Sequence, residues 1–208
     1  MDDKIKIVIA GGLLFAAYYL NFVKRGQGFS AKIGTNIIDS ANSVINSTGA
    51  NMAINYNSVL DNANIQAFLK LIRTGEGTSD IEGYNRLFGG SNFSSYADHP
   101  NIVITAKNGL KSTAAGAYQI LYRTWLDLKN NGVVLPDFSP ANQDKAAIAL
   151  INRRNALNYI VNGDFVSAIN LLNKEWASLP GSPYGQPTLT MQKALTVLAQ
   201  NGGSVSAT

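Results

Sequence analysis

Apolar residues recur at helical spacing just before a glycine-rich turn. The spacing i, i+3, i+4 and i+7, which marks one face of an α-helix, is occupied by Ile65, Phe68, Leu69 and Ile72. The helix that they predict leads directly into the segment Arg73-Thr74-Gly75-Glu76-Gly77-Thr78. Glycines on both sides of Glu76 allow the backbone to turn tightly there. We therefore expect one carboxylate at the edge of a helical core.

The carboxyl group of Glu76 has two interpretations. At the edge of an apolar core, loss of water raises the pKa of a carboxyl group and suits it to general acid catalysis. Most glutamates are instead exposed, and Glu76 would then be a solvated residue in a loop that ends a helix. The hexapeptide alone does not decide between them.

The pattern downstream of Glu76 predicts a mostly helical domain with one small β-hairpin. Residues 102–105 have the composition of a short strand, and Asn108-Gly109 carries the signal for a hairpin turn. Ser112 or Thr113 is then expected to cap a helix that contains Tyr118 and Trp125. Ser139-Pro140 supplies an N-cap followed by proline at the first helical position. Further helices are expected over residues 155–161, 165–175 and 189–200. The predicted fold class is α+β, mostly α.

The N-terminal part of the chain contains a long apolar run. Residues 7–23 are 17 residues with one strongly polar member, Asn21, between basic residues on both sides. This length is at the short end of what spans a bilayer. We predict a single N-terminal transmembrane helix, which would bind the lipid bilayer through residues 7–23 and make the protein membrane-anchored. A cleaved signal peptide and a buried core helix are the alternatives.

The chain divides into three parts by composition. Residues 1–25 form the predicted membrane anchor, and residues 26–61 are rich in Asn, Ser and Gly, which is typical of a polar tether. Residues 62–208 carry the helical periodicity and the hairpin signal. We expect this last part to be the compact domain, because 208 residues suffice for one sizeable core but hardly for two.

Composition excludes several kinds of chemistry. The formal net charge of +4 suits an anionic partner, but the basic residues are too dispersed to indicate nucleic-acid binding. The chain has no cysteine and one histidine, His99, so thiolate nucleophiles and multi-histidine metal sites are excluded. The chain contains no phosphate-binding glycine loop, and we expect neither a metal nor a cofactor.

Polar and aromatic residues on later elements are candidates for a substrate groove. Tyr118-Gln119 follows a glycine step, and Tyr184-Gly185-Gln186 lies in a loop rich in proline and glycine. Asp98-His99-Pro100 could orient a ligand or form a structural turn. Together these residues suggest a groove that grips an extended sugar chain around one acid, Glu76.

Residues 64–203 resemble the lysozyme-like endolysins of the bacteriophage lambda type, which are lytic transglycosylases. The resemblance is carried, in family order, by residues 73–78, Gly83-Tyr84, Gly89-Gly90, residues 96–100, residues 110–119, residues 137–140, residues 176–181 and residues 184–186. It implies a lysozyme-like fold with a small β-hairpin lobe and a saccharide groove between lobes. Glu76 matches the family's catalytic acid, and Thr113, Tyr118, Gln119 and Tyr184 match positions in or near the groove. For Thr113 and Tyr118, helix capping and core packing are the alternatives. Asp98 and His99 lie in a matching segment and are predicted substrate-binding residues as well.

The resemblance also implies the reaction. Lytic transglycosylases cleave the β-1,4 bond from N-acetylmuramic acid to N-acetylglucosamine in peptidoglycan without water and leave a 1,6-anhydro product. A single carboxyl group can perform this reaction, first as acid and then as base. The expected partner is therefore the peptidoglycan glycan strand, and the predicted anchor adds other virion membrane proteins as candidates. The expected role is local wall opening at infection or lysis of the host.

Two alternatives to this function stay open. A hydrolytic muramidase of the same fold would need a second carboxylate beside the scissile bond, for which Asp80, Glu82 and Asp98 are candidates. In related phage lysozymes that hydrolyse, the second acid lies about nine residues after the first, where this chain has Asn85. The other alternative is a non-catalytic wall-binding virion protein, and the intact Glu76 segment speaks against it.

Overall fold

The structure is a computed structural model, and it describes residues 55–107, 109–185 and 187–204. The predicted anchor, residues 7–23, and the predicted tether up to residue 54 lie outside these ranges. The described helices are α1 (Tyr56–Leu60), α2 (Ala63–Gly75), α3 (Tyr122–Asn130), α4 (Pro140–Arg153), α5 (Leu157–Val161), α6 (Phe165–Leu172) and α7 (Met191–Gln200). The strands are β1 (Ile104–Thr105) and β2 (Lys111–Ser112), and a short 3-10 turn covers Gly83–Asn85.

Helix α2 forms as its apolar stripe predicts. The side chain of Asn62 caps its first turn by accepting a hydrogen bond from the Ile65 amide at 3.2 Å. The predicted stripe is buried in the main core, with Ile65, Phe68 and Ile72 fully inaccessible. Helices α5 and α7 pack against α2 and complete its burial. The end of this helix is therefore fixed in the core, and so is the residue that follows it.

The small sheet agrees with the predicted hairpin. Strands β1 and β2 pair antiparallel, with Ile104 opposite Ser112 and Thr105 opposite Lys111. Gly109 has a φ of 84°, a left-handed backbone conformation that glycine adopts without strain and that tight hairpin turns require. The predicted class, mostly helical with a small two-stranded sheet, is confirmed.

The segment between β2 and α3 differs from the prediction. A helix was expected from Ser112 or Thr113, whereas α3 begins only at Tyr122. Gly116 and Gln119 have φ values of 75° and 47°, which an α-helix does not allow. The predicted N-cap at Ser112 or Thr113 is therefore wrong, and the N-cap residue of α3 is Leu121. Thr113 contacts this helix from a distance in the chain, because its Oγ1 accepts the Tyr122 amide, the first of α3, at 3.2 Å.

One hydrophobic core joins the helices. Trp125 and Phe138 lie at its centre, edge to face, with ring centroids 4.8 Å apart. Helix α4 begins at Pro140 as predicted and contributes Ile148 and Ile151 to the core. Across residues 55–107, 109–185 and 187–204, no helix combines the length and apolarity that crossing a membrane requires.

Candidate active site

Glu76 occupies the C-terminal cap of α2. Its amide donates to the Ile72 carbonyl at 2.9 Å, which completes the last helical turn. The next residue, Gly77, has a φ of 71°, so the chain leaves the helix directly after Glu76. Thr78 then anchors the departing chain by donating from Oγ1 to the Ala117 carbonyl at 2.5 Å. The glutamate is thereby held at a fixed place, and only 4% of its surface is exposed.

The environment of Glu76 favours its protonated form. Burial raises its pKa from 4.5 to about 7, although a hydrogen bond from the Ser178 hydroxyl to Oε1, 2.7 Å long, acts in the opposite direction. Desolvation dominates because no cation pairs with this carboxyl group among the salt bridges of the described residues. A group that titrates near neutral pH can both donate and accept a proton.

Glu76 lines a recess between the end of α2, the segment before α3 and the segment after α6. The other lining residues are Ala114, Tyr118, Gln119, Ile120, Leu121, Thr124, Leu150, Glu175, Trp176 and Ala177. All of them are buried in the folded chain, and most are apolar. The recess therefore presents few polar atoms beside Glu76.

Two of those polar atoms have no partner in the part of the chain that the structure describes. They are Gln119 Oε1 and Thr124 Oγ1, on residues that are 6% and 1% exposed. The Gln119 amide nitrogen is engaged, because it donates to the carbonyls of Gly116 and Arg86 at 3.0 and 3.3 Å. Gln119 also has a left-handed backbone, a strained conformation that is concentrated at functional sites. The side-chain oxygen Oε1 of Gln119 is therefore available to accept a hydrogen bond from a ligand.

Tyr118 lines the recess with its ring, but its hydroxyl is already engaged. The hydroxyl donates to Asp144 Oδ1 at 2.6 Å, and the Tyr84 hydroxyl donates to the same oxygen at 2.8 Å. Burial, followed by the negative charge of Asp144, raises the pKa of Tyr118 well above its usual value. Both tyrosines therefore stay neutral and serve as donors that join separate segments to α4.

A second carboxylate, Glu175, belongs to the recess wall. Its side chain is 1% exposed and pairs with Arg154 at 2.7 Å and with Arg153 at 3.3 Å. Two guanidinium groups compensate its buried charge. Sequence reasoning missed Glu175, Ser178 and Thr124. The segment 176–181 was noticed as part of the family resemblance, but nothing local indicated which of its side chains would reach Glu76.

The remaining predicted site residues lie outside the recess. Thr113 is half-buried and contacts the start of α3, and Tyr184 is half-buried and donates from its hydroxyl to the Lys174 carbonyl at 3.1 Å. Asp98 accepts hydrogen bonds from the Trp125 indole and the His99 amide, both at 2.8 Å. The predicted contacts of these residues with substrate stay predictions.

His99 is a buried histidine that the backbone satisfies on both sides. Its Nε2 lies 2.8 Å from the Ile120 carbonyl, and its Nδ1 accepts the Asn101 amide at 3.1 Å, which assigns the proton to Nε2. Burial lowers its pKa from 6.5 to about 4, although the bond to Ile120 acts in the opposite direction. The geometry favours the structural interpretation of the Asp98-His99-Pro100 segment over the ligand-binding one.

Asp80 and Glu82 also do not line the recess. Both face Arg86, at 2.9 and 3.7 Å, and their side chains are 56% and 60% exposed. Within the described ranges, no group of three histidine, aspartate or glutamate side chains could hold a metal ion.

Comparison with known proteins agrees with this fold. A model of the Endolysin family matches residues 66–205. The endolysin of Escherichia phage lambda is 39% identical over 146 residues, which cover 67% of this chain and 92% of that protein. The endolysin of Escherichia phage P2 is 39% identical over 155 residues, covering 67% of this chain and 93% of that protein. The solved structure of bacteriophage lambda lysozyme complexed with a chitohexasaccharide has a TM-score of 0.64 at 38% identity, covering 69% of this chain and 97% of that one.

These findings define a phage wall-degrading enzyme with the fold of lambda lysozyme, a peptidoglycan-cleaving glycosidase. The chain belongs to the Endolysin family, whose model spans most of it.

The predicted localisation at a membrane is wrong. The finding that overturns it is the match to the endolysins of phages lambda and P2. The prediction depended on the run of residues 7–23, which lies outside the described ranges. A run of 17 residues is at the lower limit for a bilayer, and its apolarity alone was a weak criterion.

Proposed function

We propose that this endolysin is a lytic transglycosylase and that Glu76 is its only catalytic carboxyl group. Protonated Glu76 donates its proton to the oxygen that links N-acetylmuramic acid to N-acetylglucosamine, and the C1–O bond breaks. The resulting carboxylate then takes the proton of the C6 hydroxyl of the muramic acid, whose oxygen bonds to C1. Every proton is accounted for, and water is not consumed.

The observation that carries the proposal is the burial of Glu76, which has 4% of its surface exposed. An acid that later becomes a base works best when its pKa lies near the working pH, and burial raises the pKa of Glu76 to about 7. The family match makes the glycan strand of peptidoglycan the substrate class, and a related phage lysozyme has been solved with a chitohexasaccharide.

The carboxylates around Glu76 support one-carboxyl chemistry. Hydrolysis on this type of fold would use a second, available carboxylate beside the sugar. The other carboxylate of the recess, Glu175, is compensated by two arginines. Asp80 and Glu82 pair with Arg86, and neither lines the recess. At the position nine residues after Glu76 the chain carries an amide, Asn85, which cannot act as a carboxylate nucleophile or base.

Substrate contact is proposed for Gln119 and Tyr118. The free Oε1 of Gln119 can accept a hydrogen bond from a sugar hydroxyl or an N-acetyl N–H, and Gln119 lines the same recess as the acid. Tyr118 contributes a wall through its ring, because its hydroxyl is bonded to Asp144. Thr113 acts on the same wall indirectly by fixing the start of α3.

The test is the chemistry of the products. The full chain is incubated with purified peptidoglycan, and the released muropeptides are analysed by mass spectrometry before and after borohydride reduction. Transglycosylation leaves anhydro-muramic ends, which are one water lighter and resist reduction. Reducible muramic ends would instead identify a hydrolase and overturn the proposal.

Glu76→Gln is the matched variant, because it keeps the shape of the side chain and removes the transferable proton. We expect it to bind peptidoglycan and release no product. Activity equal to that of the wild type would show that another group is the acid.

A further inference from the structure

Ser178 and Glu76 meet although they are 102 positions apart in the chain. The serine hydroxyl donates to Glu76 Oε1 at 2.7 Å, and both residues are buried, with 2% and 4% of their surfaces exposed. A short hydrogen bond to a buried carboxyl group restricts the rotation of that group strongly, because no water competes for it. This contact is absent from the proton-transfer steps above.

Gly75 makes this contact possible. A Cβ atom built on Gly75 would lie 2.5 Å from Ser178 Oγ and 2.9 Å from Ser178 Cβ, closer than real side chains approach. Gly75 has an ordinary helical backbone, in contrast to Gly77 with its φ of 71°. The two glycines beside Glu76 therefore serve different purposes: Gly75 gives space to Ser178, and Gly77 lets the chain turn.

The segment that carries Ser178 is fixed at several points. Glu175 is bonded to the arginines at the end of α4, and the Trp176 indole donates to the Tyr118 carbonyl at 3.2 Å. The Ser178 carbonyl accepts the Leu189 amide at 2.9 Å. With anchors on both sides, the serine hydroxyl cannot follow Glu76 if the carboxyl group rotates. It therefore imposes an orientation rather than adapting to one.

We propose that Ser178 is a positioning residue: its hydroxyl keeps Oε1 of Glu76 in a hydrogen bond within the protein, so that only Oε2 exchanges the proton with the substrate. This inference rests on the proposed role of Glu76. Since Oε1 accepts the serine proton, the proton of the neutral acid resides on Oε2. Oε2 gives it to the glycosidic oxygen and later receives the C6 hydroxyl proton, while the bond from Ser178 persists throughout.

The first experiment compares full-length Ser178→Ala with the wild type in turnover of purified peptidoglycan. We expect kcat to fall about 10- to 100-fold, the effect of a misaligned catalytic group, while KM changes little. Ser139→Ala is the matched control, because it makes the same substitution at a hydrogen-bonded serine outside the recess, where the hydroxyl accepts from Asn142 at 3.2 Å instead of donating to the acid. Its kcat should equal that of the wild type.

The second readout is the pH profile, which a purely structural role would not move. Activity requires protonated Glu76 and should decline above pH values near its pKa of about 7. The serine bond lowers that pKa, so its removal should move the decline to higher pH. The other titratable groups of the recess are Glu175, paired with arginines, and Tyr118, bonded to Asp144. A carboxyl carbon-13 titration of Glu76 measures the same shift without turnover.

Two outcomes distinguish a failure of the positioning role of Ser178 from a failure of the proposed catalytic role of Glu76. A folded Ser178→Ala with wild-type kcat and pH profile would overturn the role of Ser178, even if Glu76→Gln is inactive. An active Glu76→Gln would overturn the proposed function itself.

A further variant covers the case in which Ser178→Ala does not fold. Ser178→Cys keeps the shape of the side chain and weakens the hydrogen-bond donor. It should lower kcat and move the pH profile to higher pH, each by less than Ser178→Ala. Wild-type behaviour of Ser178→Cys would then contradict the inference.

Discussion

His99 Nε2 donates to the Ile120 carbonyl at 2.8 Å, and Ile120 forms part of the recess that contains Glu76. The histidine that was a candidate for orienting a ligand thus supports the wall of the recess through this hydrogen bond. Its ring also contacts Phe138, with centroids 4.6 Å apart. The segment before α3 depends on this buried ring for its position.

Replacing His99 by leucine should therefore destabilise the fold. The change leaves the Asn101 amide without its partner and removes one of the two hydrogen bonds that the Ile120 carbonyl accepts, the other coming from the Ala115 amide. We expect a loss of about 1–3 kcal/mol in the free energy of unfolding. Urea denaturation at pH 7 measures it. An unchanged midpoint would show that the two bonds contribute nothing net.

The acid dependence of the same variant gives a second check. The folded-state pKa of His99, about 4, is below the value of 6.5 in the unfolded chain, so stability is lost as the pH falls from 6.5 to 4. Leucine removes this dependence. The difference between wild type and His99→Leu should therefore shrink by up to roughly 3 kcal/mol between pH 7 and pH 4.

Glu76→Gln should stabilise the protein above neutral pH. The folded-state pKa of Glu76, about 7, lies above the unfolded value of 4.5, so the wild type loses stability as the pH rises between these values. The variant carries no such charge, and we expect it to gain up to roughly 3 kcal/mol at pH 8 and almost nothing at pH 4. Thermal unfolding at both pH values tests this. A gain of equal size at both would point to packing instead of charge.

Arg154→Met should be strongly destabilising. The methionine retains an apolar stem, but Glu175 keeps only the longer contact to Arg153 in a buried place. Breaking a buried ion pair from one side costs about 3–5 kcal/mol. Arg153→Met is the control, because its side chain is more exposed, 35% against 19%, and should cost less. Urea denaturation measures the free energy of unfolding of both variants. Equal losses would contradict the prediction that Arg154 stabilises Glu175 more than Arg153 does.

Tyr118→Phe should affect stability more than substrate binding. The hydroxyl is bonded to Asp144 rather than free in the recess, and its loss should cost about 1–2 kcal/mol. Tyr84→Phe, which removes the other donor to the same oxygen, should behave alike. KM for peptidoglycan should be unchanged in both. A rise in KM for Tyr118→Phe alone would show that its hydroxyl contacts substrate.

Local sequence patterns determined the main elements and the position of the acid. The apolar period of α2, the hairpin signal and the proline at the start of α4 each involve residues that are close in the chain, so they could be identified without knowledge of the fold. The glycines around Glu76 marked a turn at the end of a helix, and the structure has that turn. The family resemblance was also correct, and the membrane localisation was not.

Tertiary structure alone decided which side chains meet at the site. Residues from separate helices and loops meet in the contact of Ser178 with Glu76 and in the pairing of Glu175 with two arginines. The fold also leaves the side-chain oxygen of Gln119 without a partner. Periodicity predicts that a residue is helical or buried, but it does not predict its neighbour a hundred positions away. Burial by those distant elements is also what raises the pKa of Glu76, so the chemical character of the acid is a property of the folded chain.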